Sequence, residues 1–332
     1  MNNFPYNRVL VTGGTGFIGR ALINRLLNAG VACGSLSLPG EVPPEDWRGQ
    51  VDCIAGDITS MENVAQAAEG VDCIFHLAAL LGMGSYADHE RVTVGGTRNV
   101  LEVAKSNNAR VVVTSSIAVY GSCIRDSVCS ESTPFGTWSG PYSWAKQKQD
   151  ALVLEYASKY GVRSTVVRPA NVYGAGSVPW VDVVVSALKL GAPIVVDEGE
   201  GNSGLIHAGN LADALIATAV SNKSIGLALN ACDNIDVSWK QYFRDISACV
   251  GLELPTSIPY ATLEAMARKD EDPENFVTPT QYASIPLATL ELIGSDNRFP
   301  SDLLRQLTGW QSRISYEEGI QEIRHYLGEV AG

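Results

Sequence analysis

The sequence is poor in the residues from which several functional classes are built. It has four histidines (His76, His89, His207 and His325), scattered and without metal-ligand spacing, so a zinc site is not expected. Seven cysteines is an odd number and none forms a C-x-x-C pair, which argues against a disulfide framework and against a dithiol redox motif. Positive charge is short as well. Lys and Arg total 24 against 36 Asp and Glu, a net charge of −12, and that balance repels nucleic-acid phosphates and anionic lipid. It leaves small anionic ligands open, because backbone amides and helix N-termini bind these without net positive charge. Long apolar runs are missing too: residues 183–196 come closest to a membrane span, and Lys189 interrupts them. The opening MNNFPYNRVLV shows no basic segment followed by an apolar stretch and a cleavage site. The expectation is a soluble protein of a reducing cytoplasm, its thiols unlinked.

What is present is a regular alternation of two hydrophobic periods. The 332 residues, 45% hydrophobic and 18% charged, suit a folded chain of roughly two domains. Residues 8–12 (RVLVT) read as a short, continuously apolar strand, and residues 17–28 show helical spacing through Ile18, Leu22, Leu26 and Leu27. Strand-like runs recur at 31–38, 51–55, 71–77, 110–115 and 163–168, with helical stretches at 60–69, 90–107 and 141–160. This alternation predicts βαβ units: an α/β, Rossmann-type doubly wound parallel sheet with a smaller C-terminal α/β substrate-binding lobe. Beyond about Val172 the pattern loosens. Residues 210–220 look helical and 225–231 extended, and from Trp239 onward short helices are separated by segments bearing Pro255, Pro259, Pro273, Pro279, Pro286 and Pro300. The expected division is a nucleotide-binding domain over 1–175, rejoined by about 205–225, with 176–204 and 226–332 forming the lobe.

Between the first strand and the first helix stands TGGTGFIG, residues 12–19. In that context Gly13 allows a tight turn, Gly16 lets backbone approach a pyrophosphate, and Gly19 permits close helix packing. The helix start, with Phe17 and Ile18, adds amides and a partial positive charge. A carboxylate ending the second strand would select NAD by binding its ribose 2′-hydroxyl. The sequence there is SLSLPG, with Ser37 at about that position and no acid before Glu41. NADP is therefore favoured slightly over NAD, with Arg48 a candidate for the extra phosphate.

Tyr142 and Lys146 form Y-x-x-x-K, one turn apart on a helix face. A phenol with a pKa near 10 is a poor acid or base at neutral pH, and a neighbouring ammonium moves it toward working range. Ser116 lies just past the carboxyl end of the strand at 110–115, on the side where open parallel sheets bind ligands. Its hydroxyl can hold a substrate carbonyl against Tyr142.

Taken in order, TGGTGFIG, Gly56–Asp57, HLAA at 76–79, SSIAVYG at 115–121, Y142-x-x-x-K146 and RPANVYG at 168–174 resemble the extended short-chain dehydrogenase/reductase superfamily, its NAD(P)-dependent epimerase/dehydratase group. The resemblance covers about 8–330. It implies that Asp57 and Ile58 flank adenine, that Leu77, Ala78 and Ala79 line the nicotinamide-ribose side, and that Ser116, Tyr142 and Lys146 are the catalytic triad. It places Pro169 and Val172 by the carboxamide, Asn171 at the substrate mouth, and implies a homodimer through the helices at 90–107 and 141–160.

The departures narrow the reaction. Ile117 and Ala118 stand where the dehydratases carry an Asp-Glu pair. Residues 199–210 (GEGNSGLIHAGN) hold no Lys or Arg, where nucleotide-sugar epimerases usually have an arginine; Arg268, Arg298 or Arg305 would have to substitute. Thr93 replaces the first Asn of N-V-x-G-T. Tyr86, His89, Trp138 and Trp180 are expected in loops bordering an apolar pocket, with Tyr86 and Trp180 as substrate contacts. His76 is read as a satisfied strand-end histidine and Cys123 as a buried inert thiol. The expected activity is interconversion of a carbonyl and a hydroxyl on a small or apolar substrate. The alternatives are a nucleotide-sugar 4-epimerase with tightly bound NAD and, from another class, a non-catalytic dinucleotide-binding regulator.

Overall fold

The computed structural model describes residues 4–82, 84–125, 128–192, 194–270 and 285–331. Seven strands form one parallel sheet in the order β3-β2-β1-β4-β5-β6-β9. They are β1 (Arg8–Thr12), β2 (Ala32–Ser37), β3 (Val51–Ala55), β4 (Cys73–His76), β5 (Arg110–Thr114), β6 (Ser164–Pro169) and β9 (Ala228–Ala231). Two short strands, β7 (Asn171–Tyr173) and β8 (Leu205–His207), pair in a second sheet. β5 and β6 are buried at every position, which is why consecutive valines fill their centres with no apolar-polar alternation.

The helices cover both faces of the large sheet. On one side α1 (Phe17–Asn28) packs against α7 (Ala208–Val220), burying Leu22, Ile23 and Leu26 in a core with Leu211 and Leu215. On the other, α2 (Met61–Ala67), α4 (Gly96–Asn107) and α5 (Pro141–Tyr160) close over Leu10, Ile74, Val111 and Val166. The helix expected from residue 90 starts earlier. Ser85 caps α3 (Tyr86–His89) reciprocally with Asp88, and a π-helical turn (Glu90–Gly95) carries the chain into α4. Tyr86 and His89 are thus helical and not in a loop.

A third core belongs to the smaller lobe. It contains α6 (Val183–Lys189), α8 (Trp239–Cys249), α9 (Tyr260–Asp270), α10 (Leu287–Ile293) and α12 (Tyr316–Ala331), gathered around Trp239, Tyr242 and Leu290. α11 (Asp302–Thr308) packs instead on α7 and β9. Residues 228–231, which the sequence reading groups with the lobe, are the seventh strand of the large sheet. Pro273 and Pro279 lie outside the described residues. Among the described residues no helix is long and apolar enough to cross a membrane, and no cluster of three or more His, Cys, Asp or Glu could hold a metal.

Candidate active site

Strand order reverses between β1 and β4, so the crevice at their carboxyl ends is where an open α/β sheet takes a ligand. The glycine turn leaves β1 on one side of it. Gly13 has φ +71°, which a side chain rarely adopts, and a Cβ there would stand 3.1 Å from Ala78 backbone. At Gly19 a Cβ would fall 2.3 Å from the Gly13 carbonyl oxygen, so only glycine lets α1 start this close to the turn. Gly16 is the N-cap and supplies no side-chain cap, which leaves the first amides of α1, from Phe17 and Ile18, to an anion. This cradle fits a dinucleotide pyrophosphate.

The ribose end differs from the sequence expectation. Ser37 Oγ accepts from Thr15 N at 3.4 Å and shares a hydrogen bond with Ser35. The loop after β2 turns back so that Glu41 accepts a hydrogen bond from the Thr15 hydroxyl. A carboxylate therefore does stand at the turn, supplied four residues beyond β2. The lean toward NADP rested on its absence and loses that support. Asp57 accepts from Thr59 N at 2.8 Å, and Ile58 is buried against Gly96. Leu77, Ala78 and Ala79 follow β4 directly across from Thr12, whose hydroxyl accepts from Ala78 N.

On the other side of the crevice stand Ser116, Tyr142 and Lys146. Ser116 Oγ accepts from Ala118 N at 3.1 Å, which leaves its own proton for Tyr142. Burial pushes the Tyr142 phenol up in pKa, and a hydrogen bond from Ser116 pulls it back. Lys146 Nζ lies 5.8 Å from the centre of the Tyr142 ring. It is buried and donates to Thr114 O at 3.1 Å and to Gln149 Oε1 at 2.9 Å. Burial lowers its pKa to about 8, with Asp150 opposing that shift. An ammonium has three donors, and these two bonds use two of them.

Two residues tie α5 to the sheet. Arg168 Nε donates to Asp150 at 2.7 Å, and Arg168 Nη1 donates to Tyr120 OH at 3.0 Å. Tyr120 OH in turn donates to Asn230 at 2.6 Å. The motifs around 115–121 and 168–174 thereby hold α5, β6 and β9 together. Pro169 is buried at the end of β6, paired with Ala231, and Val172 packs on the main core.

Several expected substrate contacts are placed elsewhere. Trp180 is buried in the lobe core, its ring 5.1 Å from Trp239 and its carbonyl accepting from Tyr242 OH. Asn171 is buried and donates to Ser203 O at 2.7 Å, tying β7 to the segment just ahead of β8. Tyr86 packs edge-on against Trp144 at 5.4 Å. Trp138 remains exposed. Its neighbour Ser139 donates to Glu291 of α10, and Arg125 stacks 3.6 Å from the Tyr260 ring. These two contacts fasten the lobe over the catalytic side.

His89 was expected only as part of an aromatic border. It is fully buried, its ring 6.2 Å from Tyr142 and edge-on to it, and among the described residues neither ring nitrogen makes a well-aligned hydrogen bond. Burial lowers its pKa, with the Gly82 carbonyl opposing. A buried imidazole left without a partner costs about 1–3 kcal/mol, which a ligand oxygen would recover.

The three arginines that would have to receive a diphosphate are engaged. Arg268 pairs with Glu264 at 2.8 Å, Arg298 with Asp296 at 2.8 Å, and Arg305 lies 5.5 Å from the Trp310 ring.

Comparison with known proteins adds an independent observation. A model of the NAD dependent epimerase/dehydratase family matches residues 9–231. The chain is 24% identical over 322 residues, 96% of each chain, to a 4-hydroxy-2-methyl-3-oxo-4-farnesyl-3,4-dihydroquinoline-1-oxide ketoreductase of Stigmatella aurantiaca. It is 25% identical over 342 residues, 97% of this chain and 98% of the other, to a UDP-N-acetyl-alpha-D-glucosaminuronate decarboxylase of Bacillus cytotoxicus. In fold it resembles the UDP-glucose 4-epimerase of Thermotoga maritima, with TM-score 0.75 and 19% identity over 98% of this chain and 100% of that one.

Proposed function

The chain belongs to the NAD dependent epimerase/dehydratase family, and from that premise we propose that it is an oxidoreductase interconverting a ketone and a secondary alcohol, or reducing an aldehyde, on a small or apolar substrate. The observation that carries this reading is the grouping of Ser116, Tyr142 and Lys146 at the carboxyl edge of the sheet, with apolar Ile117 and Ala118 where eliminating enzymes carry acids.

When bound, a reduced nicotinamide supplies a hydride to the carbonyl carbon. The chain's residues do the rest. Ser116 donates a hydrogen bond to the carbonyl oxygen and fixes it beside Tyr142. As the C=O π bond breaks, Tyr142 gives its phenolic proton to that oxygen and becomes a phenolate. The Lys146 ammonium stabilises the phenolate, and its remaining donor suits a ribose hydroxyl. Water returns the proton to Tyr142. Reduction thus needs the protonated phenol and oxidation the phenolate, so the oxidative rate is expected to rise with pH and the reductive rate to fall on the alkaline side. His89 beside Tyr142 favours a substrate with a second oxygen near the carbonyl, such as a 2-hydroxy ketone. The compound for which the Stigmatella relative is named carries such a pair, a 3-oxo group beside a 4-hydroxyl.

The nucleotide-sugar 4-epimerase reading uses the same triad. It is disfavoured by the absence of Lys and Arg from 199–210 and by the pairing of Arg268 and Arg298 with acids. The deciding experiment incubates the purified protein with reduced nicotinamide and a panel of ketones, aldehydes and 3-oxo compounds, following cofactor oxidation optically, beside UDP- and dTDP-sugars analysed for epimers. Stoichiometric cofactor oxidation with a carbonyl is expected. Epimerised sugar without net cofactor turnover would replace this reading by the alternative. A homodimer through α4 and α5 remains part of the proposal, and sedimentation at micromolar concentration would reveal it.

For the cofactor we propose NAD, because the Glu41 carboxylate at Thr15 opposes a 2′-phosphate. Glu41→Gln is expected to shift the ratio of NADP to NAD affinity about tenfold toward NADP, a shift titration of both cofactors reads. An unchanged ratio would free Glu41 from that role.

A further inference from the structure

A chain of buried hydrogen bonds connects the catalytic lysine to the strand that carries the glycine turn. Gln149 accepts from Lys146 Nζ at 2.9 Å and donates through Nε2 to Thr97 Oγ1 at 2.7 Å. Thr97 also meets His76 Nε2 at 3.0 Å and donates its single proton to Thr93 O at 2.6 Å. Since that proton is committed to a carbonyl, Thr97 must accept from both Gln149 and His76. The His76 proton therefore sits on Nε2, and Nδ1 accepts from the Thr12 hydroxyl at 2.8 Å. Thr12 in turn accepts from Ala78 N at 3.2 Å. Burial, and then the nearby Lys146 charge, push the His76 pKa down to about 3, so this neutral tautomer persists at any working pH.

These donors and acceptors fit together in one arrangement only. Turning the Gln149 amide over would set its NH2 against the ammonium and its oxygen against Thr97 lone pairs. Gln149 and Lys146 are three residues apart on α5, which puts both on one face. Thr93, standing where the family pattern has asparagine, accepts from Leu80 N instead and does not reach the lysine.

We propose that Gln149 is a positioning residue: locked by Thr97 and His76, its carboxamide holds the Lys146 ammonium in place under Tyr142. The inference rests on the triad reading above. Around Lys146 stand Tyr142, Gln149 and Asp150 from α5, Thr114 O from β5, His76 from β4 and His89 from α3, with Arg168 of β6 on the far side of Asp150. Asp150 is the acid among them, and Arg168 already neutralises it. Loss of the Gln149 acceptor consequently falls on the ammonium itself.

The test compares Gln149→Met, which keeps length and removes the acceptor, with Gln149→Glu, which retains one. Lys146 is titrated by NMR in protein carrying carbon-labelled lysine, its signal assigned with Lys146→Arg. In Gln149→Met its midpoint is expected about one pH unit lower, and the pH profile of alcohol oxidation about one unit higher, with roughly tenfold slower turnover at neutral pH. Dinucleotide affinity stays within about threefold, since the bond lost is to a lysine rather than to the glycine turn. Gln149→Glu keeps the lysine midpoint at or above that of the native protein. An unmoved midpoint in Gln149→Met, or slower turnover with a native pH profile, would overturn the inference. The NMR arm needs no substrate. Failure of the triad reading would show separately, as turnover that survives Tyr142→Phe.

Discussion

Tyr142→Phe is expected to lower turnover about 10²–10⁴-fold, the range a positioned general acid contributes, while NAD affinity changes little. The variant removes one oxygen from a half-buried side chain. The ring remains against His89 and above Lys146, so the pocket wall and the cofactor cradle persist. What disappears is the phenolic proton beside the Ser116 hydroxyl. Ser116 cannot replace it, because a serine hydroxyl is a far weaker acid, and Lys146 is held away by Thr114 O and Gln149. The measurement is single-turnover hydride transfer with the best carbonyl from the panel, alongside dinucleotide binding. Turnover within a few-fold of the native protein would remove Tyr142 from the chemistry and leave the chain a dinucleotide-binding protein. Ser116→Ala should act on the same step less severely, since it positions the oxygen without supplying the proton.

The contrast between legible and hidden parts of this site follows from what local pattern can carry. β1, α1, β3 and α5 begin and end where apolar period and flanking Gly or Pro place them, because these elements are decided by their own residues. The proposed triad is legible because Y-x-x-x-K sits on one helix and Ser116 follows one strand. Gln149 was not visible. Helical spacing places it near Lys146, but only the crossing of α4 behind α5 brings Thr97 within reach and fixes its amide. Glu41 was hidden for a similar reason: the path of the loop beyond Ser37 decides whether its carboxylate returns to Thr15. Trp180 misled in the opposite sense. A tryptophan after a proline in a glycine-rich stretch reads as a loop residue, whereas Val181, Val184 and Val185 continue into a helical face that takes it into the lobe core. The helix start at Tyr86 was legible in principle from the Ser85-x-x-Asp88 cap, but the apolar period begins only after it.

Arg168→Met should destabilise the protein by about 3–5 kcal/mol, the cost of leaving one member of a buried ion pair without its partner. Asp150 is fully buried and Arg168 nearly so, with their charged atoms 2.7 Å apart. The intact pair need not be a large net gain, since both ions were taken out of water; the expense lies in uncoupling them. Burial raises the Asp150 pKa even in the native protein, and the Arg168 charge is the foremost of the groups opposing that rise. Without Arg168 the folded-state pKa climbs further above the unfolded value. The folded state then binds the extra proton, so the penalty is full above the folded-state pKa and fades as pH falls through it. Urea unfolding of Arg168→Met at neutral and at mildly acidic pH reads both the loss and its sign. Adding Asp150→Leu to that variant is expected to recover most of the stability, because an apolar pair of similar volume leaves no stranded charge. If the double variant were as unstable as the single, the cost would lie in the Tyr120 contact or in packing. Recovery would instead assign the pair to orientation: it holds α5, with Tyr142 and Lys146, at a fixed height over the carboxyl edge of β6. In that case the stable double variant should still turn over more slowly than the native enzyme.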